Sequence, residues 1–350
     1  MKTPIYLFYK ERMAGNYYQL KQRLPSCDIH YALKANSEIE ILTVLKDIGL
    51  KFDVASTGEF LKLIKIGVPP EHIICTLPVK SEEMIETLYR QDCRYFVFEH
   101  IQELIKLDKL ARQAKKILRI YNADIIEDNI EYGMTIDEFQ DLKKNFLRLF
   151  EQIDGITFFV RNPNNSASDE NLENMLRVLD RCDWFLGELD HKSGLIFNIG
   201  GNYRFNKSMN DAYYDRLNNE VEKLKEKYQL RLLVEPGRAI IDSAGVLLTK
   251  VVMTKERQEY HDVFIDAGDP TGLFTRPTRV TTFAGGAKKL DKRRGYRFIG
   301  TTCSHRILFS YASKFEIQKG DILMLEGFGA YSICYSSNFH AWERPGVIIQ

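Results

Sequence analysis

The chain has 350 residues, of which 44% are hydrophobic and 28% are charged, and its formal net charge is +1. This composition is typical of a globular protein in water, and the near-neutral charge argues against nucleic acid as a partner. No apolar run approaches the length of a membrane span, and the N-terminus lacks the apolar region of a signal peptide. We therefore expect a cytoplasmic protein with no membrane partner.

The first part of the chain alternates between short apolar runs and helical patterns. Strands are predicted at Ile5–Tyr9, Ile29–Leu33, Lys51–Ala55, His72–Cys75, Tyr95–Phe98, Ile117–Ile120, Gly155–Val160, Leu195–Ile199 and Leu232–Val234. Helices are predicted at Glu11–Leu24, Glu38–Gly49, Thr57–Ile66, Glu82–Gln91, Ile101–Ala114, Ile136–Phe150, Ser168–Arg181 and Asp211–Tyr228. From the second strand onward this alternation predicts a parallel (β/α)8 barrel. An open, doubly wound sheet is the alternative that the same pattern allows.

The pattern changes after Gly237, where long helical periods end and turn residues separate short apolar runs. Strands are predicted there at Val246–Thr254, Val263–Asp266, Tyr296–Gly300 and Asp321–Glu326. We therefore predict a barrel domain over residues 10–240 and a mostly β domain formed by residues 1–9 and 241–350. The basic run at 288–294 is interpreted as a solvated loop.

Six scattered cysteines without a CxxC pair argue against a zinc site and against a disulfide framework. We expect a reducing compartment and no metal.

Lys34 follows directly after the first predicted barrel strand. A lone lysine is usually a solvated surface residue. In barrels, however, chemistry takes place at the carboxyl ends of the strands, and the next strand also ends in polar residues, Asp53 and Ser56. A lysine in such a setting can supply the amine of lowered pKa that Schiff-base chemistry requires.

The seventh and eighth strands end in residues suited to an anion. Gly200 and Gly201 follow the seventh strand, and Glu235, Gly237 and Arg238 follow the eighth. Paired glycines let backbone amides approach a phosphate closely, and barrels commonly bind phosphate at these two strands. A buried glutamate needs a partner, which a structural salt bridge or a protonated ring nitrogen would supply.

Five motifs in this order resemble those of the pyridoxal-phosphate decarboxylases of the alanine-racemase fold, which include ornithine, arginine and diaminopimelate decarboxylases. They are YALKAN at 31–36, FDVAS at 52–56, EPGR at 235–238, GTTC at 300–303 and GFGAY at 327–331. The resemblance implies a (β/α)8 barrel followed by a β domain, pyridoxal 5′-phosphate as cofactor, and a head-to-tail homodimer with two shared active sites.

The resemblance also implies a role for each matched residue. Lys34 would hold the cofactor as a Schiff base, Glu235 would face the pyridine nitrogen, and Asp53 would lie near both the lysine and the ring. The phosphate would be bound by Gly200, Gly201, Gly237, Arg238 and Tyr331. Cys303 of the second subunit would donate a proton after CO2 leaves, although a cysteine is more commonly a small buried hydrophobe.

The sixth strand end departs from the family pattern. The family has a histidine that stacks on the cofactor ring and a serine that binds phosphate, whereas this chain has Phe159 and Asn162. Phe159 can stack on a ring but can neither hydrogen-bond nor carry charge. The departure therefore bears on the rate and on the reaction specificity.

The residues expected to bind the distal end of the substrate also differ. Ser304, His305 and Arg306 stand where the family has acidic residues, and an arginine there is unsuited to a distal ammonium. Arg276 resembles the arginine with which diaminopimelate decarboxylases bind a distal carboxylate, although the spacing before it is two residues longer than expected. We therefore expect an anionic distal group rather than free ornithine or lysine.

The stretch from Gly329 to His340, with Cys303 and Ser304, resembles the decarboxylases of carboxylate-type siderophore pathways. Those enzymes act on an amino acid linked to citrate, whose carboxylates suit Arg276, His305 and Arg306. We predict decarboxylation of such a conjugate, for example citryl-ornithine or citryl-diaminopropionate, and diaminopimelate decarboxylation is the alternative. An amino-acid racemase on the same fold and a non-catalytic cofactor-binding protein are further alternatives. The racemase needs a second acid or base, which no motif locates.

Overall fold

The computed structural model describes residues 2–122, 124, 132–160, 168–189, 193–205, 209–283, 288–302 and 306–350. The chain divides into two compact units. The barrel unit comprises Tyr17–Leu33 and Leu45–Ala239, and the sheet unit comprises Met1–Asn16, Lys34–Val44 and Ile240–Gln350.

The barrel unit contains eight strands that close in chain order, and every neighbouring pair is parallel. They are β2 (Cys27–Ala32), β3 (Lys51–Val54), β4 (Ile73–Cys75), β5 (Tyr95–Phe98), β6 (Lys115–Arg119), β7 (Ile153–Thr157), β8 (Ile196–Gly201) and β9 (Arg231–Glu235). The predicted parallel barrel is therefore confirmed, and the open doubly wound sheet is wrong.

Helices connect the strands. They are α1 (Lys10–Arg23), α2 (Ile39–Asp47), α3 (Thr57–Lys65), α4 (Glu82–Arg90), α5 (Ile101–Leu110), α6 (Ile136–Asn145), α7 (Leu147–Phe150), α8 (Ser168–Leu189), α9 (Asp211–Tyr228) and α10 (Arg238–Ile241). No helix in the described ranges is long and apolar enough to cross a membrane.

Local sequence explains both ends of α3. The Ser56 hydroxyl accepts a hydrogen bond from the Glu59 amide at 3.1 Å and so caps the start of α3. Gly67 ends the same helix with φ +75°, a backbone conformation that glycine adopts without strain.

The barrel interior has an apolar middle layer. Ile74, Val97, Ile117, Ile196 and Leu233 come from five different strands and pack into one cluster. Residues on opposite sides of a closed barrel can meet only in its interior, so these side chains point inward. Burial of each contributes about 1.5–3 kcal/mol to folding. Because side chains alternate along a strand, residues two positions away belong to the layers above and below.

A charged cluster closes the amino end of the barrel. Asp28 pairs with Lys51 at 2.9 Å and with Arg231 at 2.9 Å, and Arg231 also donates to the Tyr95 hydroxyl at 3.0 Å. These two cations lower the pKa of Asp28 although burial alone would raise it. These contacts join β2, β3, β5 and β9 at the end of the barrel opposite to the expected chemistry.

The sheet unit contains an eight-stranded, mostly antiparallel sheet. Its strands are β1 (Ile5–Phe8), β10 (Gly245–Glu256), β11 (His261–Ile265), β12 (Arg279–Thr282), β13 (Lys289–Gly300), β14 (Phe309–Phe315), β15 (Ile322–Glu326) and β16 (Gly346–Ile349). The order is β12-β15-β10-β11-β13-β14, and β1 pairs with β10 and with β16. The parallel pairs are β1 with β16 and β11 with β13.

The interpretation of the basic run at 288–294 as a loop is wrong, because β13 begins at Lys289. The run pairs with β14, and the register shifts between Lys289 and Arg294. Strands β12, β14 and β16 were also not predicted. The partners of β12 and β16 are distant in sequence, so the sequence nearby carries no sign of those pairings, whereas β14 pairs with the strand that precedes it, β13.

Candidate active site

A polar layer lies at the carboxyl end of the barrel unit, one step beyond the apolar cluster. Each residue of this layer is two positions further along its strand than an inward-pointing apolar residue, and so faces the same side. The residues placed in this way are Thr76, Glu99, Arg119, Asn198 and Glu235. The carboxyl end is where barrel enzymes carry their catalytic groups.

Glu235 is the best-defined member of this layer. It is the last residue of β9, and its Oε1 accepts a hydrogen bond from Asn198 Nδ2. Asn198 is fully buried in β8, and its Oδ1 accepts the Gly200 amide proton at an N···O distance of 3.0 Å. One amide side chain therefore orients both the carboxylate and the first glycine of the predicted phosphate site.

Gly200 and Gly201 are packed tightly against neighbouring strands. Gly200 has φ +69°, and a Cβ there would lie 2.4 Å from the Phe158 carbonyl oxygen. A Cβ on Gly201 would lie 2.5 Å from the Glu235 carbonyl oxygen. Only glycine fits either position, so the bare backbone at the end of β8 is a structural requirement.

Arg119 was not predicted as a site residue, although it ends β6 and faces the same layer. Burial lowers the pKa of Arg119, and the nearby carboxylates of Glu235 and Glu99 oppose that shift. Its Nε is buried and has no hydrogen-bond partner among the residues that the structure describes. Glu99 in turn accepts the Gly133 amide proton at 2.9 Å, and burial raises the pKa of this carboxyl.

Asp53 is buried in β3, and its Oδ1 accepts a hydrogen bond from the Thr76 hydroxyl. The Thr76 amide donates to the Val54 carbonyl at 3.1 Å. These hydrogen bonds join the ends of β3 and β4. The predicted cofactor-binding residue Asp53 is therefore oriented by Thr76, which directly follows β4.

The remaining predicted residues of the barrel unit lie at its strand ends as well. Phe159 is half-buried, and its carbonyl accepts a hydrogen bond from Asn122 Nδ2 at 3.0 Å. Gly237 is buried and Arg238 is half-buried at the start of α10. Asn162 lies outside the described residues.

In the sheet unit, the motifs around Lys34 and Tyr331 meet. Lys34 is exposed in the short 3-10 turn Leu33–Ala35. The Tyr331 amide donates to the Ala35 carbonyl at 2.8 Å, and Asn36 Nδ2 donates to the Gly329 carbonyl at 2.9 Å. Two motifs almost 300 residues apart in sequence are thus joined through their backbones.

The predicted substrate residues have different surroundings within the sheet unit. Arg306 donates two hydrogen bonds to the carboxylate of Asp269, and its Nη2 lies 3.5 Å from the Leu273 carbonyl oxygen. Arg276 is exposed and forms no ion pair with any residue in the described ranges. Cys303, Ser304 and His305 lie outside the described residues.

The polar layer is chemically suited to a pyridoxal cofactor. A carboxylate fixed by Asn198 can pair with a protonated pyridine nitrogen. Gly200 and Gly201 are buried and the Gly200 amide donates to Asn198 Oδ1, so a role of this pair in phosphate binding stays a prediction. The unpartnered Arg119 Nε adds a buried donor to the same layer. No cluster of three or more histidine, cysteine or acidic residues suited to a metal occurs in the part of the chain that the structure describes.

Comparison with known proteins identifies the relatives of this chain. Residues 11–242 match the family model described as "Pyridoxal-dependent decarboxylase, pyridoxal binding domain". A lysine/ornithine decarboxylase of Selenomonas ruminantium is 27% identical over 99% of the chain and 89% of its own length. A diaminopimelate decarboxylase of Vibrio cholerae is 26% identical over 99% of the chain and 87% of its own length.

The fold also matches solved structures. The arginine decarboxylase of Paramecium bursaria Chlorella virus, bound to agmatine, superposes with a TM-score of 0.88. That alignment covers 100% of this chain and 96% of the viral chain at 22% sequence identity, so it shows a shared fold.

Proposed function

The chain belongs to the pyridoxal-dependent decarboxylases, and from that premise we propose that it removes the α-carboxylate of an L-amino acid with a negatively charged distal group. The observation that carries the cofactor assignment is the Glu235 carboxylate, held by Asn198 at the carboxyl end of the barrel. When bound there, pyridoxal phosphate supplies an electron sink that stabilises the charge left at Cα as CO2 departs.

Each predicted site residue has a proposed role. Lys34 would hold the cofactor through its side-chain amine. Glu235 would pair with the protonated pyridine nitrogen, and Asp53 would orient the reacting groups. The residues that would bind the phosphate are Gly200, Gly201, Gly237, Arg238 and Tyr331, with Asn162 in place of the serine of the family. Phe159 would stack on the ring.

We assign the return of a proton to Cα to Cys303 of a second subunit. The assignment rests on the GTTC motif at 300–303 and implies a homodimer. A Cys303→Ser variant should keep cofactor binding and lose most turnover. Sedimentation of the wild-type protein should give twice the mass of one chain.

The distal group of the substrate is the finer part of the proposal. Arg276 is an exposed cation without an ion pair in the described ranges, which suits a carboxylate. Arg306 is engaged with Asp269, so its charge is already offset by an acidic neighbour. Diaminopimelate and citrate conjugates such as citryl-ornithine both carry the required carboxylate, and a relative named diaminopimelate decarboxylase supports the first.

The test is a substrate panel with a matched variant. The purified protein is assayed for CO2 release from diaminopimelate, citryl-ornithine, citryl-diaminopropionate, ornithine, lysine and arginine. We expect turnover of a substrate with a distal carboxylate, visible absorbance from bound cofactor, and loss of both in Lys34→Ala. Turnover of only ornithine, lysine or arginine would overturn the distal-carboxylate assignment. Lack of visible absorbance in the wild-type protein would overturn the cofactor assignment.

A further inference from the structure

Lys80 is a lysine buried in the barrel unit, where a charged side chain is unusual. Only 3% of its surface is exposed, and burial lowers its pKa while the Glu103 carboxylate opposes that shift. It follows the end of β4 by five residues and is not part of any motif that the resemblance explains.

The ammonium group of Lys80 is bound by backbone carbonyls. Nζ donates to the Val97 carbonyl at 2.6 Å, to the Leu77 carbonyl at 2.9 Å and to the Pro78 carbonyl at 3.2 Å. The Glu103 carboxylate lies 3.3 Å away and is shared with Lys106, which pairs with its other oxygen. Lys80 therefore ties the segment that leaves β4 to the end of the neighbouring strand β5.

That segment begins directly after Thr76. Thr76 donates its hydroxyl to Asp53, and the carbonyls that Lys80 holds belong to the next two residues. A free Leu77–Pro78 segment would let Thr76 turn away from Asp53. Val97, the third anchor, lies two residues before Glu99 in the polar layer.

We propose that Lys80 is a positioning residue that fixes Thr76, and through it Asp53, in the orientation that cofactor binding needs. This inference rests on the proposed function, because the role of Asp53 does. Lys80 touches neither substrate nor cofactor in this scheme. It restricts the conformations of the segment Leu77–Pro78 after β4, and the Asp53 carboxylate is therefore oriented before the cofactor binds.

Lys116 provides a matched control within the same barrel. It is 2% exposed, and its Nζ donates to the Arg112 carbonyl at 2.9 Å and to the Ala114 carbonyl at 3.1 Å. Lys116 therefore shares with Lys80 its burial and its bonds to backbone carbonyls, but it lies near the start of β6, away from the polar layer. A purely structural role would make the two lysines equivalent.

The first experiment compares Lys80→Met with Lys116→Met. Both variants should lower the melting temperature, because each leaves buried carbonyls without a donor. Only Lys80→Met should weaken binding of pyridoxal phosphate, by about tenfold, which corresponds to the loss of one positioned hydrogen bond. Equal losses of melting temperature with unchanged cofactor affinity in both variants would overturn the proposal.

A double-mutant cycle tests the route through Thr76. Thr76→Val buries no new charge, and it should by itself weaken cofactor binding by about tenfold. If Lys80 acts through Thr76, the double variant should be about tenfold weaker than wild type and not about a hundredfold weaker. Multiplicative effects would contradict the proposed route. Should Lys80→Met not fold, Lys80→Gln retains amide donors and takes its place.

Amide hydrogen exchange tests the inference without any cofactor. The Thr76 amide is bound to the Val54 carbonyl at 3.1 Å, so its exchange reports on the end of β4. Exchange at Thr76 should accelerate in Lys80→Met and stay at the wild-type rate in Lys116→Met. Unchanged exchange in Lys80→Met would overturn the proposal. This result is independent of whether the wild-type protein binds pyridoxal phosphate, so the two proposals can fail separately.

Discussion

Asn198 donates a hydrogen bond to the Glu235 carboxylate with one atom of its amide and accepts the Gly200 amide proton with the other. Glu235 is the proposed partner of the pyridine nitrogen, and Gly200 belongs to the proposed phosphate site. A single buried side chain therefore joins two parts of the proposed cofactor site that lie on neighbouring strands.

Substitutions at Asn198 should separate these two contacts. Asn198→Asp keeps an acceptor for the Gly200 amide but places a second carboxylate against Glu235, whereas Asn198→Ala removes both contacts. Because like charges at hydrogen-bond distance disfavour each other, we expect Asn198→Asp to weaken pyridoxal phosphate binding by at least tenfold. Titration of the apoprotein with the cofactor measures this. Wild-type affinity in Asn198→Asp would show that Asn198 does not orient Glu235.

Gly200→Ala should destabilise the barrel more than a matched glycine substitution does. Its new Cβ would lie 2.4 Å from the Phe158 carbonyl oxygen, in addition to the strain of φ +69°. Gly67 has a similar φ of +75° with no atom near the position of a Cβ, so Gly67→Ala carries the backbone strain alone, about 1 kcal/mol. Denaturant unfolding should show a clearly larger loss for Gly200→Ala, with reduced cofactor affinity in that variant only. Equal losses of unfolding free energy in the two variants would mean that the end of β8 can move away from Phe158 without a loss of stability.

The sequence predicted the barrel because its strands and helices alternate locally. Lys34, Asp53 and Glu235 were predicted as site residues because each lies at a predicted strand end within a motif, and these roles stay predictions. Arg119 and Glu99 were missed although they also lie at strand ends, the fifth and the fourth, because no motif marks them. The inward direction of Arg119 follows from its position two residues after Ile117, which the structure places in the barrel interior. Leu118 is equally apolar, so the sequence alone does not tell which side of this strand points inward.

Other features could not be predicted because they depend on contacts between distant residues. Asn198 lies within an apolar strand, and its role appears only when β8 and β9 are placed side by side. The strand β16 pairs with β1, which brings residues 346–349 beside residues 5–8, so its identity depends on a distant partner. Likewise the Arg306–Asp269 pair joins residues 37 positions apart, and the carboxylate of Asp269 offsets the positive charge that Arg306 could present to a substrate.

Arg276→Gln should reduce turnover selectively for substrates with a distal carboxylate. Loss of a charge-assisted contact should lower kcat/KM for such a substrate by about tenfold or more, mostly through KM. Arg306→Gln is the comparison, because its guanidinium already pairs with Asp269 and the variant should have the smaller effect on KM. Steady-state kinetics on the preferred substrate of the panel measure both. A larger effect for Arg306→Gln would move the carboxylate site to that residue.

The stability of the barrel should depend on pH through His30. This side chain is buried in β2, and its Nδ1 has no hydrogen-bond partner among the described residues. Burial, with the positive charge of Lys51, lowers the pKa of His30 to about 3. An unfolded histidine has a pKa of about 6.5, so below that pH the unfolded chain takes up a proton that the folded chain does not. The contribution of neutral His30 to stability is therefore complete above about pH 6.5 and declines as the pH falls toward 3.

His30→Leu removes this titration while keeping a buried side chain of moderate size. The free energy of unfolding of the wild-type protein, taken relative to the variant, should fall by about 1.4 kcal/mol for each pH unit between pH 6 and pH 4. Urea unfolding of both proteins at a series of pH values measures the difference, and the titration of surface carboxylates cancels between them. If the difference in unfolding free energy between the two proteins stays constant across this range, His30 is also protonated in the folded barrel. The proton would then lie on Nδ1, and a nearby acceptor such as Asp28 would stabilise it.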